Sequence, residues 1–186
     1  MTSIIKVDTI QTSAGGTPTA SSLGIGGVGK IGQVVQGTLT STFASSNEPT
    51  SPVDIGLSAT ITPSSTSSKI LCLVHIGLVS HSANSTWSFF LLRGSTKIGI
   101  GDASSTRVRA NAGAGMEYNT SGWGGQNMAF NWLDSPATTS ATTYKVQTGG
   151  NGTATIRINY NNRDQTTAGD EDQRTASTIT LMEVLA

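Results

Sequence analysis

Ser68-Lys69-Ile70-Leu71-Cys72-Leu73-Val74-His75-Ile76-Gly77-Leu78-Val79 is the longest apolar stretch of the chain, and its reading decides the fold. It is too short to cross a membrane as a helix. Branched residues fill it, the turn residues Pro63 to Ser68 precede it, and serine and asparagine come after it, so it reads as a strand. On a strand, Ile70, Cys72, Val74, Ile76 and Leu78 share one face, while Leu71, Leu73, His75 and Val79 share the other. A strand that is apolar on both faces needs cover on both. In an all-β protein the opposite sheet covers one face, and a further layer or another subunit must cover the second. Leu71, Leu73, His75 and Val79 are therefore the candidate core or oligomer-interface residues.

Outward from this strand the same pattern repeats. Val53, Ile55, Leu57, Ala59 and Ile61 alternate with Asp54, Gly56, Ser58 and Thr60, as in a half-buried strand. Ile31 to Leu39 reads as a strand before it, with a polar loop from Thr40 to Pro52 between them. Trp87 to Arg93 is again apolar on both faces, and Lys97 to Ile100 is a short strand. Asp102 to Gly125, rich in glycine, alanine and asparagine, has no clear period. Met128, Phe130 and Trp132 alternate with Asn127, Ala129 and Asn131. Tyr144 to Thr148 and Thr153 to Tyr160, separated by Gly149-Gly150-Asn151-Gly152, read as a hairpin. Asn161 to Arg174 is a charged loop, and Ser177 to Leu185 closes the chain, with Ile179, Leu181 and Leu185 on one face and Met182 and Val184 on the other. Eight or nine short strands and no helical period predict an all-β fold, an antiparallel β-sandwich, jelly roll or barrel.

Composition narrows the function. Charged residues make up 12% of the 186, and they cancel to a net charge of zero, which gives no electrostatic footprint for nucleic acid. Cys72 is the single cysteine, so no disulfide forms within the chain, and its mid-strand place predicts an inert core residue. Met1 to Lys6 lacks the basic start and sustained apolar run of a signal peptide. The sequons at Asn84, Asn119 and Asn151 then reflect serine and threonine abundance rather than glycosylation.

Several motifs have bland readings. Gly24-Ile25-Gly26-Gly27-Val28-Gly29-Lys30 looks like a phosphate-binding loop, but a Ser/Thr/Pro linker precedes it and a β-branched strand comes after it. No helix N-terminus is there to hold phosphate, so it reads as a hinge. His75 and His81 would lie about 20 Å apart on a continuous strand and share no metal. His75 is expected to be buried or at an interface, with a satisfied hydrogen bond. Asp164, Asp170, Glu171 and Asp172 lack the spacing of a calcium loop and read as a solvated loop. No cofactor or metal is expected, and no nucleophile–base pair suggests an enzyme. Glu117, Tyr118, Asn119 and Trp123, in the aperiodic stretch, combine aromatic faces with hydrogen-bonding groups. They form the candidate glycan or interface loop.

Two stretches carry a resemblance. Ser3-Ile4-Ile5-Lys6-Val7-Asp8-Thr9-Ile10-Gln11 resembles the opening segment of tail-fibre and other virion proteins of marine phages, especially those of cyanobacteria. The glycine-rich linker from Thr12 to Gly29 comes next, as it does there. Ser58 to Leu71 resembles the start of a β-domain that recurs in those proteins, and Ser177 to Val184 resembles its last strand. The resemblance implies residues 1–29 as a particle-anchoring arm and hinge, with Ile4, Ile5, Lys6, Val7, Asp8, Thr9, Ile10 and Gln11 as anchor. It implies residues 30–186 as a trimeric β-sandwich head similar to C1q or tumour-necrosis-factor heads. With no long shaft between Gln11 and Lys30, the expectation is a short tail fibre in the virion, made in the host cytoplasm and not inserted in a membrane. Its partners would be its own copies, other tail or capsid proteins, and a host surface glycan. A capsid-decoration protein is the alternative, and a secreted carbohydrate-binding module the second.

Overall fold

The computed structural model describes residues 15–16, 29–116, 124–150, 154–164 and 172–186. Eleven strands run through them: β1 (Ile31–Leu39), β2 (Phe43–Ser45), β3 (Val53–Ile61), β4 (Lys69–His81), β5 (Ser85–Arg93), β6 (Thr96–Ile98), β7 (Ala112–Met116), β8 (Gln126–Asp134), β9 (Thr142–Gly150), β10 (Ile156–Ile158) and β11 (Ser177–Val184). Two sheets result, and the strands pair antiparallel throughout. In the first, β1, β11, β4, β10 and β2 are neighbours in that order and β8 joins the free edge of β4; in the second the order is β3, β9, β5, β6, with β7 also on β5.

Each sheet simplifies to four strand positions. Along one edge of β4, β11 pairs with residues 69–75 and β10 with residues 79–81, so the two act as one composite strand. Beyond them β1 and β2 form a second composite. β7 and β6 likewise share one edge of β5. Apart from the run β5 to β7, successive positions along the chain alternate between the sheets, which is the interleaving of a jelly roll.

The core lies between the sheets. Alternation on β3 buries Ile55, Leu57, Ala59 and Ile61 and exposes the residues between. Each such fully buried large aliphatic side chain contributes about 1.5–3 kcal/mol relative to exposure. Trp87, Phe89 and Tyr144 fill the space from the second sheet. At one margin Gly37 of β1 passes so near β3 that a Cβ there would stand 1.9 Å from the Ser58 carbonyl oxygen. Only glycine permits that approach.

Three expectations are corrected. β9 and β10 are not a hairpin: both edges of β9 are taken by β3 and β5, and β10 crosses to the first sheet between β4 and β2. The polar stretch 40–52 contains β2, and the aperiodic stretch 102–125 contains β7. The alternation of β4 also breaks. Its register with β8 shifts between Ile76 and Val79, so Val79 is buried in the core and Leu78 is only half-buried. A β-bulge of this kind moves every later side chain to the other face.

Asn159 holds the bulge. Its backbone lies in the left-handed region at φ 70, which asparagine tolerates better than most residues. Its Nδ2 donates to the carbonyls of Leu39 and Ser41, both at 2.9 Å, and its Oδ1 accepts from the Ser177 hydroxyl at 2.8 Å. That hydroxyl accepts in turn from the Gly77 amide at 3.0 Å, while the Thr175 hydroxyl accepts from the Leu78 amide at 2.7 Å. A Cβ on Gly77 would stand 2.5 Å from Thr175 Oγ1 and 2.8 Å from Asn159 Oδ1.

Candidate functional site

The outer face of the first sheet holds three of the four residues predicted for the core or an oligomer interface, Leu71, Leu73 and His75. Paired residues of adjacent strands share a face, so the registers build rows across the sheet. Val34 of β1, Met182 of β11, Leu71 of β4 and Leu133 of β8 make one row. At about 4.8 Å between strands, four side chains span about 14 Å. Val34 is 56% and Leu133 45% exposed, with Met182 and Leu71 half-buried between them. The next row is Gln36, Thr180, Leu73 and Asn131, with Gln36 Nε2 donating to Thr180 Oγ1 at 2.9 Å. The third is Thr38, Thr178, His75 and Ala129. On the opposite side of the apolar row, Ile31, Val184 and Lys69 line up. There Lys69, Leu133 and Val184 line a hollow of about 160 Å³ with Gly29, Leu185 and Ala186.

Leu71, Leu73 and His75 therefore share this open face, and Val79 does not. His75 is exposed in the single chain rather than buried. Sequence reading missed Val34 and Leu133 as members of the row. Parity already sets Met182 and Val184 opposite Ile179 and Leu181, and Leu133 continues the series of Ala129 and Asn131; that continuation is the available signal. The remaining predicted residues, Ile4 to Gln11 and Glu117, Tyr118, Asn119 and Trp123, lie outside the described residues.

Two buried polar clusters anchor the sheet beneath this face. Glu183 is buried, and its carboxylate accepts from Ser64 N (2.7 Å), Ser64 Oγ (2.6 Å) and Gln33 Nε2 (2.7 Å). Burial raises its pKa, but the donors on Ser64 and Gln33 outweigh that and bring it down to about 2. The bond joins the turn before β4 to the last strand, two segments more than a hundred residues apart in the chain.

The second cluster ties the sheets together. Asp134 of β8 accepts from Arg93 of β5 at 2.9 Å and from the Tyr144 hydroxyl of β9 at 2.7 Å. Burial, and then the hydrogen bond to Asp134, push the Tyr144 phenol above its ordinary value. Burial, with the Asp134 charge adding to it, pushes the Cys72 thiol up to about 12. Both groups keep their protons at neutral pH and act as packing, as expected of Cys72.

In the charged loop, Asp164 pairs with Arg174, and Asp172 pairs with Arg163 at 3.4 Å while accepting from Asn161 at 2.7 Å. These carboxylates are engaged by cations of their own chain. Among the described residues no three His, Cys, Asp or Glu side chains gather as metal ligands, and no helix is long and apolar enough to cross a membrane.

No family model matches the chain, and no curated protein matches it. Solved structures do match. One is a chain in the structure of infectious bursal disease virus Gx strain, 12% identical with a TM-score of 0.37. The match covers 83% of this chain and 43% of that one, so this chain spans less than half of that chain's length.

Proposed function

We propose that the protein is a virion structural protein of a marine phage, a short trimeric appendage whose heads associate through the outer face of the first sheet. The observation that carries this reading is the row Val34–Met182–Leu71–Leu133, apolar and unpartnered in the single chain. A second copy is its occupant. The three rows from Val34 to Ala129 contain no Asp, Glu, Lys or Arg, so two copies meet there without like-charge repulsion. The resemblance of Ser3 to Gln11 and of Ser58 to Leu71 supports a virion setting and supplies the trimer. The arm docks on the particle through Ile4, Ile5, Val7 and Ile10, and the reading assigns no catalytic step.

Light scattering on the full-length protein is the test. The expected mass is three times the 19.1 kDa of one chain, falling to one chain when Leu133→Asp is introduced. A monomeric parent protein would overturn the reading. Copy number per particle then separates an appendage from capsid decoration, since lattice decoration requires far more copies.

A further inference from the structure

The second sheet carries a different kind of feature on its outer side. After β6 the chain forms a loop, residues 99–111, that folds back over β5. Asn111 staples its base: Nδ2 donates to the carbonyls of Ile98 (2.9 Å) and Gly99 (3.0 Å), and Oδ1 accepts from the Leu91 amide (2.7 Å). Arg109 Nε donates to the Gly101 carbonyl at 2.6 Å and closes the neck. At the tip the Arg107 amide donates to the Ser104 carbonyl at 3.0 Å around Ser105, whose φ is 50. The loop is thus a built structure.

Between it and Pro49–Thr50 lies an open cleft of about 330 Å³. Phe90 lies fully buried beneath it, and Lys97 Nζ stands 3.9 Å from the centre of that ring. Arg107 and Arg109 rise from one wall, with Val108 47% exposed between them. The chain has eleven cationic residues, and three of them line this one cleft, which contains no carboxylate. The ion pairs of Arg93, Lys145, Arg163 and Arg174 leave these three out, and none of them pairs with a described carboxylate. Clustered cations without counter-ions in a concave site raise the local concentration of anions. Guanidinium groups hold a carboxylate or sulfate in a planar, two-pronged geometry. Pro49, Ile100 and Val108 add apolar wall, and Thr50 and Thr106 add hydroxyl groups, so the site suits an anion attached to a polyhydroxylated ring better than a bare ion. Nucleic acid fits less well, because the cations occupy a single cleft rather than a stripe and the chain is neutral.

We propose that this cleft binds an acidic saccharide, with the acid group held by Arg107 and Arg109 and the sugar face laid against Val108 and Pro49. The proposal stands apart from the trimer reading, since it needs only the single head, and it rests on residues other than Glu117 to Trp123.

Calorimetric titration of the full-length protein tests it, using tetragalacturonate, a heparin-derived tetrasaccharide, maltotetraose and inorganic sulfate as probes. Binding of at least one acidic tetrasaccharide is expected, with no detectable binding of maltotetraose. Because one charge-assisted hydrogen bond lost from such a contact weakens binding about tenfold or more, Arg107→Gln should do so, and Val108→Asp should abolish binding. Both positions are exposed, so folding should be unchanged by circular dichroism. The proposal is overturned if neither acidic sugar binds, if maltotetraose binds equally, if Arg107→Gln leaves affinity unchanged, or if inorganic sulfate binds as tightly as the sugars. The carboxylate and sulfate arms identify which acid group the cleft prefers.

Discussion

On β5, Phe90 points away from the sandwich core and is fully buried; on β4, Leu73 points away from the core in the same manner and is 38% exposed. Both strands carry apolar side chains on two faces. The difference lies in the segments that surround each strand. After β5 a tight turn at Gly94 and the short β6 bring Lys97 across from Leu92 and over the Phe90 ring, and the stapled 99–111 loop then completes the cover. The outward face of β4 is flanked by β11 and β8 at its edges, and their outward side chains extend the open surface instead of covering it. A doubly apolar strand thus announces a second layer without saying whether the chain itself supplies that layer.

The matched pair Phe90→Ala and Leu73→Ala breaks the comparison most directly. Truncating a fully buried phenylalanine should cost about 3–5 kcal/mol by urea denaturation, whereas Leu73→Ala in a monomerised background should stay within about 0.5 kcal/mol. Equal losses at the two sites would mean that Leu73 is covered as Phe90 is.

Asn159→Ala tests the bulge that separates Leu73 from Val79. It strands the carbonyls of Leu39 and Ser41 and the Ser177 hydroxyl, for an expected loss of about 2–3 kcal/mol. If Asn159→Ala were neutral, the bulge would be held by the strand pairing alone.

Glu183 sharpens the comparison at the other end of β4. Its folded-state pKa of about 2 lies below the ordinary 4.5, so its contribution to stability is complete above pH 4.5 and is lost as pH falls toward 2. Glu183→Gln should cost about 1–2 kcal/mol at neutral pH and flatten that part of the acid-unfolding profile. An unchanged profile would remove the carboxylate from the account of acid stability.

Leu133→Asp has the smallest expected effect on the stability of a single head, within about 0.5 kcal/mol, because the residue already lies on the open face at 45% exposure. Its effect should appear in solution mass instead.

The layout of the chain was largely legible because alternation is a local property. β3 buries Ile55, Leu57, Ala59 and Ile61, β11 buries Ile179 and Leu181, and Ile70, Cys72, Val74 and Ile76 face inward on β4, while Val53 and Leu185 at the ends of their alternating sets are only half-buried. Leu71, Leu73 and His75 lie on the face of β4 opposite those four, as residue parity predicts. The reading failed where a distant partner decides. Gly149-Gly150 looks like a hairpin turn, yet Gly150 pairs with Trp87 and continues β9 beside β5. Val79 changes face because of Asn159, eighty residues away in sequence.

The sequence by itself determined an all-β chain, the positions of its main strands and the existence of a surplus apolar face on both β4 and β5, since a strand's two faces come from residue parity alone. Only the tertiary structure decided which sheet each strand joins, where parity breaks, and which surplus face is covered. It also brought Lys97, Arg107 and Arg109 to one cleft. Those outcomes depend on backbone hydrogen bonds and packing between segments far apart in the chain, and parity along one strand contains no information about its neighbours.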